Sequence, residues 1–265
     1  MYSTTYHKAS SAAEAASVLA GAEDGQLLAG GQTLIPTMKA RLAAPSDLID
    51  ISAASDMRGI EVAGGHATIG AAMTHAEVAE SAALRDACPA IADLAGGIGD
   101  PAVRHRGTLG GSVANNDPAA DYPAAMLALD AVITTTEREI AADDFFTGMF
   151  DTALNEGEII TSVRFPLPKA AAYAKFPNPA SRYAMCGVFV ARFENAVRLS
   201  VTGAGADGVF RATEMEEALG ANFSPDALHG LSVDPEAMLS DLHGDGAYRA
   251  NLVGVLARRA VQSAC

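Results

Sequence analysis

The chain has no tryptophan, only three cysteines and few bases. Its 18 lysines and arginines stand against 32 aspartates and glutamates, a formal net charge of -14. That balance excludes non-specific binding to nucleic acid, whose phosphates need a basic face. Cys88, Cys186 and Cys265 are far apart and form no CxxC pair. This argues against a disulfide framework and against an iron–sulfur or zinc site. They read as reduced thiols of a cytoplasmic protein, and Cys265 is not in a prenylation position. No stretch approaches about 18 uninterrupted apolar residues, so no membrane span is expected. The N-terminal MYSTTYHKASSAAEAASVLAG lacks a continuous apolar core and carries Glu14, so no signal peptide is expected. His7, His66, His75, His105, His229 and His243 make no HExxH or similar spacing, and no metal site is expected. No GxSxG elbow surrounds Ser112, and Asp143-Asp144 reads as a capping or solvated pair. No catalytic residue is assigned.

What remains is a chain of 265 residues, 49% hydrophobic, long enough for one large domain or two to three small ones. Its most informative stretch is RGTLGGSVANNDPAAD, Arg106 to Asp121. Adjacent glycines sit between Thr108-Leu109 and Ser112, and the stretch reads as a loop. It is expected to run into a helix capped by Asp117, opened by Pro118 and ending near Asp130. A shorter echo, LLAGGQTLIP, occupies Leu27 to Pro36. Glycine permits positive φ and close backbone approach, and helix N-termini favour anions. Two such loops suggest a bound diphosphate. Asp121 can accept from a ligand hydroxyl, or can simply complement the helix dipole. Asn115 and Asn116 fit turn chemistry.

The rest is a mixed α+β pattern. Ser10 or Ser11 caps a first helix with Glu14 near its start. Strands are expected at 26–29 and 47–51, with a helix through Pro36, Met38 and Leu42 between them. A hairpin turns at Gly64-Gly65. Thr74 and Glu77 form a capping-box pattern before an alanine-rich helix, which runs to about Leu94 and is interrupted at Pro89. Residues 96–107 read as loop. Strands follow at 131–136, 138–141 and 158–165. Composition shifts after Pro168, and 169–174 reads as linker or the start of a strand. A hairpin spans 188–194 and 197–202, and helices are expected at 214–219, 235–239 and 248–261. Gly203 to Gly208 fits G-x-G-x-x-G, but VFRAT after it is extended, so a glycine-rich turn is favoured over a dinucleotide fingerprint.

Three segments taken together carry a family likeness. AGGQTLIPTMKARLAAPSDLIDI, GDPAVRHRGTLGGSVANNDPAADYPAAMLALDA and SDLHGDGAYRANLVGVLARRA resemble the FAD-binding medium subunit of the molybdenum hydroxylases. The likeness is to the carbon monoxide dehydrogenase medium chain and its relatives in the xanthine dehydrogenase family. It implies a two-subdomain, PCMH-type FAD-binding fold over 1–168, divided near 55, and a small α+β flavoprotein domain over 169–265. It implies FAD contacts at Ala29, Gly30, Gly31, Gln32, Thr33 and Leu34 on one wall. On the other wall it implies Thr108, Leu109, Gly110, Gly111 and Ser112. Asp121 matches an acidic FAD-contact position, and Ile98 a position where an apolar side chain meets the flavin ring. Ile160 and Lys175 match further contacts, and Tyr183 lies in a segment that approaches the flavin. Ser112 and the segment FPNPASRY depart from some relatives. The implied role is electron transfer from iron–sulfur clusters of a small subunit, through FAD, to an external acceptor. Substrate would be oxidised at a molybdenum cofactor on a large subunit, in a dimer of heterotrimers, with aerobic carbon monoxide dehydrogenase as one such enzyme. A stand-alone flavin oxidoreductase with its own small organic substrate is the alternative.

Overall fold

The computed structural model describes residues 1–264, and the expectation for Cys265 lies outside them. The chain opens with β1 (Thr5–Lys8), α1 (Ala12–Gly21), β2 (Gly25–Leu28), α2 (Leu34–Lys39) and β3 (Asp47–Asp50). Ser11 starts α1, its hydroxyl accepting from the Glu14 N–H and satisfying a donor that the first helical turn leaves open. The three strands are parallel in the order β1-β3-β2. Parallel strands need crossovers, so the chain must leave β2 over the C-terminal edge of this sheet. The first glycine loop forms there, in the place where open α/β sheets present their crevices. α2 stops at Lys39, short of the expected Leu42, which is exposed.

Next come β4 (Ile60–Ala63) and β5 (His66–Gly70), turned at Gly64 and Gly65, whose φ values are 58° and 78°. The alanine-rich segment forms three helices, α3 (His75–Glu80), α4 (Ala82–Ala87) and α5 (Pro89–Gly96). Thr74 and Glu77 make the expected capping box on α3. Ser81 breaks the segment once more by capping α4 with its hydroxyl, and Pro89 opens α5. Within the expected loop 96–107 lies a single-turn helix, α6 (Pro101–Arg104), capped by Asp100. α7 (Leu109–Asn115), α8 (Tyr122–Ala128), β6 (Val132–Thr135), β7 (Glu139–Ala141), α9 (Ala142–Phe145), β8 (Phe146–Gly148), β9 (Asp151–Thr152) and β10 (Ile160–Pro166) follow. They complete a five-stranded antiparallel sheet, β4-β5-β10-β6-β7.

The remainder holds β11 (Ala170–Pro177), β12 (Ala184–Arg192), β13 (Val197–Thr202), β14 (Phe210–Arg211), α10 (Thr213–Ala221) and α11 (Gly246–Ala264). Of residues 169–174, ambiguous between linker and strand, 170–174 are strand because β11 pairs with β12 along its length, and Lys169 lies just before it. The four-stranded sheet uses strand alternation to serve two cores. Ala171, Tyr173, Phe189 and Ala191 join the core of the preceding sheets, whereas Ala172, Cys186, Val188 and Val190 join a core with α10 and α11. Covered on both faces, β12 is buried from Ala184 to Ala191. Every residue of α8 is buried, and the side chains of Ser200 and Thr202 donate to its Ala124 oxygen and to the Ala120 oxygen just before it, at 2.5 and 2.6 Å. Gly203 to Gly208 is a turn, with φ of 78° and 102° at its two ends, and leads into β14 rather than a helix. The expected helix at 235–239 is only a 3-10 turn, Pro235–Ala237. No helix among the described residues is long and apolar enough to cross a membrane.

The buried Arg249 of α11 locks the second core. Its guanidinium donates to the Met185, Gly203 and Asp241 oxygens at 2.6, 2.7 and 2.7 Å. Arg249→Met leaves two buried carbonyls without a donor and is expected to cost about 2–4 kcal/mol in urea unfolding.

Candidate functional site

The two glycine segments do different work. The second is not a loop. Gly110 and Gly111 lie in the first turn of α7, and Thr108 is its N-cap, accepting from the Gly111 N–H at 3.1 Å. Buried Asn116 ends α7 at a φ of 41°, donating to the Gly148 and Asp151 carbonyls at 2.8 Å. Pro118 opens no helix, and Asp117 caps none: its carboxylate closes a turn on the Ala119 N–H at 2.8 Å. α8 begins later, with Asp121 at its N-cap position and Pro123 in its first turn. Paired glycines disfavour a helix, but here packing decides. A Cβ on Gly110 would lie 2.5 Å from that of Ala71.

The donors of this turn are spent on the protein. Leu109 N–H donates to Met73 O at 3.0 Å, Gly110 N–H to Ala71 O at 2.9 Å, and Ser112 N–H to Thr108 O at 3.0 Å. The first loop is the reverse case. The N–H groups of Gly30, Gly31, Gln32 and Thr33 meet no acceptor among the described residues, and the Thr33 side chain makes no capping bond. An anion at this site would therefore be held by the β2–α2 loop.

The loop is set by contact between backbones. A Cβ on Gly30 would overlap Arg106 O and come within 2.6 Å of Gly107 Cα. One on Gly107 would lie 2.6 Å from His75 Nε2. Gly30, Gly107 and His75 thus stack with no room for a side chain between them, while Gly31 turns the chain at a φ of 72°.

Between loop and helix lies a cavity of about 710 Å³. Of the residues expected at the site, Ala29, Gly30, Gly31, Gln32, Thr33, Leu34, Ile98, Thr108, Gly110, Gly111, Ser112, Asp121 and Ile160 line it. Two do not. Leu109 is fully buried in the core beneath α7, and Lys175 stands behind Asp121. Tyr183 lines the cavity from the β11–β12 connection, beside Arg182. Sequence reasoning missed His75, Gly107 and Glu158, which also line it. Gly107 carried a signal, since a third glycine precedes the pair. His75 carried none, because the capping box explains its surroundings.

Asp121 and Glu158, two of the three acids lining the cavity, are matched by cations of the protein, and the third, Asp117, accepts from the Ala119 N–H. Asp121 accepts from Tyr173 Oη at 2.5 Å and from Lys175 Nζ at 2.9 Å. Burial nonetheless pushes its carboxyl above the usual range, against the pull of both donors. Arg138 holds Glu158 down to about 2, helped by the Asn155 N–H and the Thr135 hydroxyl. His75 is neutral: burial, with the nearby Arg104 charge, lowers it to about 4. Arg182 is the one cation among the described lining residues. An elongated ligand with an anionic middle fits this arrangement, because open backbone donors supply the grip and Ile98, Val103 and Leu154 supply an apolar wall. Among the described residues, no lining nucleophile is hydrogen-bonded to a base.

The family model described as the FAD-binding domain in molybdopterin dehydrogenase matches residues 2–168. The nicotine 6-hydroxylase medium subunit of Paenarthrobacter nicotinovorans is 34% identical over 274 residues, 98% of this chain and 96% of that one. The carbon monoxide dehydrogenase medium chain of Afipia carboxidovorans is 34% identical over 275 residues, with the same shares of 98% and 96%. The structure of reconstituted CO dehydrogenase from Oligotropha carboxidovorans superposes with a TM-score of 0.89 at 34% identity, covering 99% of this chain and 97% of that one.

The depressed His75 gives a pH test. Its folded value of about 4 lies below the model-peptide value of about 6.5, so the unfolded chain binds the extra proton between them. Stability is expected to be full above about pH 6.5 and to fall by about 3 kcal/mol as pH drops toward 4. Denaturant titrations across that window check it, and His75→Gln should flatten this limb.

Proposed function

The chain belongs to the FAD-binding domain family of the molybdopterin dehydrogenases, and from that premise we propose how its cavity holds FAD. The chain is an FAD-binding flavoprotein subunit of a multi-subunit molybdenum oxidoreductase, with an electron-transfer role. The observation that carries the binding assignment is the run of open N–H groups at Gly30 to Thr33. In our reading these groups hold the diphosphate. Gly111 and Ser112 form the opposite wall, Asp121 accepts from a flavin-nucleotide hydroxyl or N–H, and Ile98 packs on the ring. When bound, FAD supplies reversible acceptance of electrons, singly or in pairs. The chain's own residues bind and orient it and keep competing charge away. Asp121 and Glu158 are already matched by Lys175 and Arg138, so two carboxylates can line the site with little repulsion of a diphosphate.

We assign the division of labour as two units, 1–168 with a sub-boundary near 55, and 169–265. The partners we infer are a large subunit carrying the molybdenum cofactor and a small iron–sulfur subunit, assembled as a dimer of heterotrimers. In this arrangement the substrate is chosen on another chain. Cys88 and Cys186 are free, buried thiols pushed up to about 11 and about 12, which suits the reducing cytoplasm we assign to the protein.

Purified protein should carry flavin absorbance, and the two other subunits should accompany it. In Gly111→Val, the new side chain would press on the Thr108 hydroxyl, which lies 2.9 Å from the Cβ position, and on Ala29 Cβ, at 3.6 Å. FAD affinity should fall at least about tenfold. A normal flavin content in that variant would overturn the placement of Gly111 in the opposite wall.

A further inference from the structure

A buried carboxylate of the cavity, Asp121, is held from behind by a strand of the C-terminal sheet. Tyr173 and Lys175 stand two residues apart on β11, so they share one face. Tyr173 donates to Asp121 Oδ1 at 2.5 Å and Lys175 to Oδ2 at 2.9 Å. Neither lines the cavity, whereas Asp121 does. The Tyr173 ring packs beside Phe189, centroids 6.1 Å apart, and its hydroxyl crosses the neighbouring strand over Gly187. A Cβ on Gly187 would overlap that hydroxyl and lie 2.9 Å from Cζ. The register pairs Gly187 with Lys175, so the tyrosine reaches diagonally. Glycine weakens the middle of a strand, and this one clears the path between Tyr173 and Asp121. A carboxylate has about four acceptor positions. Tyr173 takes one on Oδ1 and Lys175, 2.9 Å from both oxygens, takes at least one more, which leaves room for a donor in the cavity.

We propose that Tyr173, given its reach by Gly187, is a positioning residue that sets the Asp121 carboxylate toward a hydroxyl or N–H of the bound flavin nucleotide. This rests on the FAD reading above and adds what sets the carboxylate. Asp121 is surrounded by few other titratable groups. Tyr122 follows it in α8, Asp117 and Tyr183 lie on the cavity side, and Cys186 of β12 stands behind Tyr173. Lys175 is the cation that faces it. Burial alone drives Asp121 toward its protonated form, and Tyr173 is one of the two side-chain donors opposing that drive. Without the hydroxyl, proton uptake at Asp121 moves to higher pH, and the site loses its acceptor there.

The test is the FAD dissociation constant between about pH 5 and 8, measured on the full-length protein purified from its own host with whatever subunits accompany it. The wild-type profile is the reference against which the variants are read. Tyr173→Phe should bind about tenfold more weakly and lose affinity further toward acid pH. Gly187→Ala keeps every polar group but displaces the hydroxyl, and should behave the same way. Asp121→Asn should bind weakly with no pH dependence. If Tyr173→Phe loses its circular dichroism signature, Gly187→Ala carries the same reading. Wild-type affinity and pH profile in both variants would overturn the proposal and leave the FAD reading standing. A wild-type protein that binds no FAD would overturn both.

Discussion

The site depends on one constraint: two backbones must touch where a side chain would normally stand. At Gly30 the β2–α2 loop lies against Arg106 O and Gly107, and Gly107 in turn lies against the edge of His75. Gly110 continues the contact against Ala71. These glycines are spacers of zero thickness. They bring the parallel three-stranded sheet up to α7, and the cavity is what remains between them. Their conformational cost, roughly 0.5–1 kcal/mol for a glycine in a helix, is set against a close approach that no other residue permits. Only at Gly31 does a positive φ in this loop also call for glycine.

A second dependence runs through α8 and β11. α8 is buried on every side because the C-terminal sheet closes over it. That sheet does more than cap a core. Strand alternation on β11 sends Ala172 toward α11 and Tyr173 toward Asp121. The family model ends at residue 168, yet side chains beyond it hold a residue of the cavity in place. The C-terminal sheet thus reaches the cavity through the side chains it sets on Asp121.

An acidic protein with a net charge of -14 that binds an anionic dinucleotide must separate the global field from the local one. Here Lys175 and Arg138 each meet a carboxylate that borders the cavity, and open N–H groups face inward from the first loop. Exposed acids elsewhere are screened by salt beyond about 10 Å. The arrangement is local and dipolar, so a negative net charge and open donors in a loop coexist.

Local chemistry was readable in the residues themselves. Thr74 with Glu77, Ser11 with Glu14 and Gly64-Gly65 each specify their own cap or turn, because the partners lie within four residues. The α+β class, the two glycine segments and their convergence on one cavity were legible for the same reason, aided by the family likeness. What only the tertiary structure decided is which segment presents donors and which spends them. Paired glycines read as loop, yet the second pair opens a helix whose first N–H groups, those of Leu109, Gly110 and Gly111, are taken by Met73 O, Ala71 O and the Thr108 hydroxyl. Pro118 read as a helix opener, yet Asp117 turns the chain first and α8 starts at Tyr122. His75, Tyr173 and Gly187 carried no local mark. Their roles arise from contacts with Gly107 and Asp121, tens of residues away in the chain, and such contacts exist only once the sheets have packed.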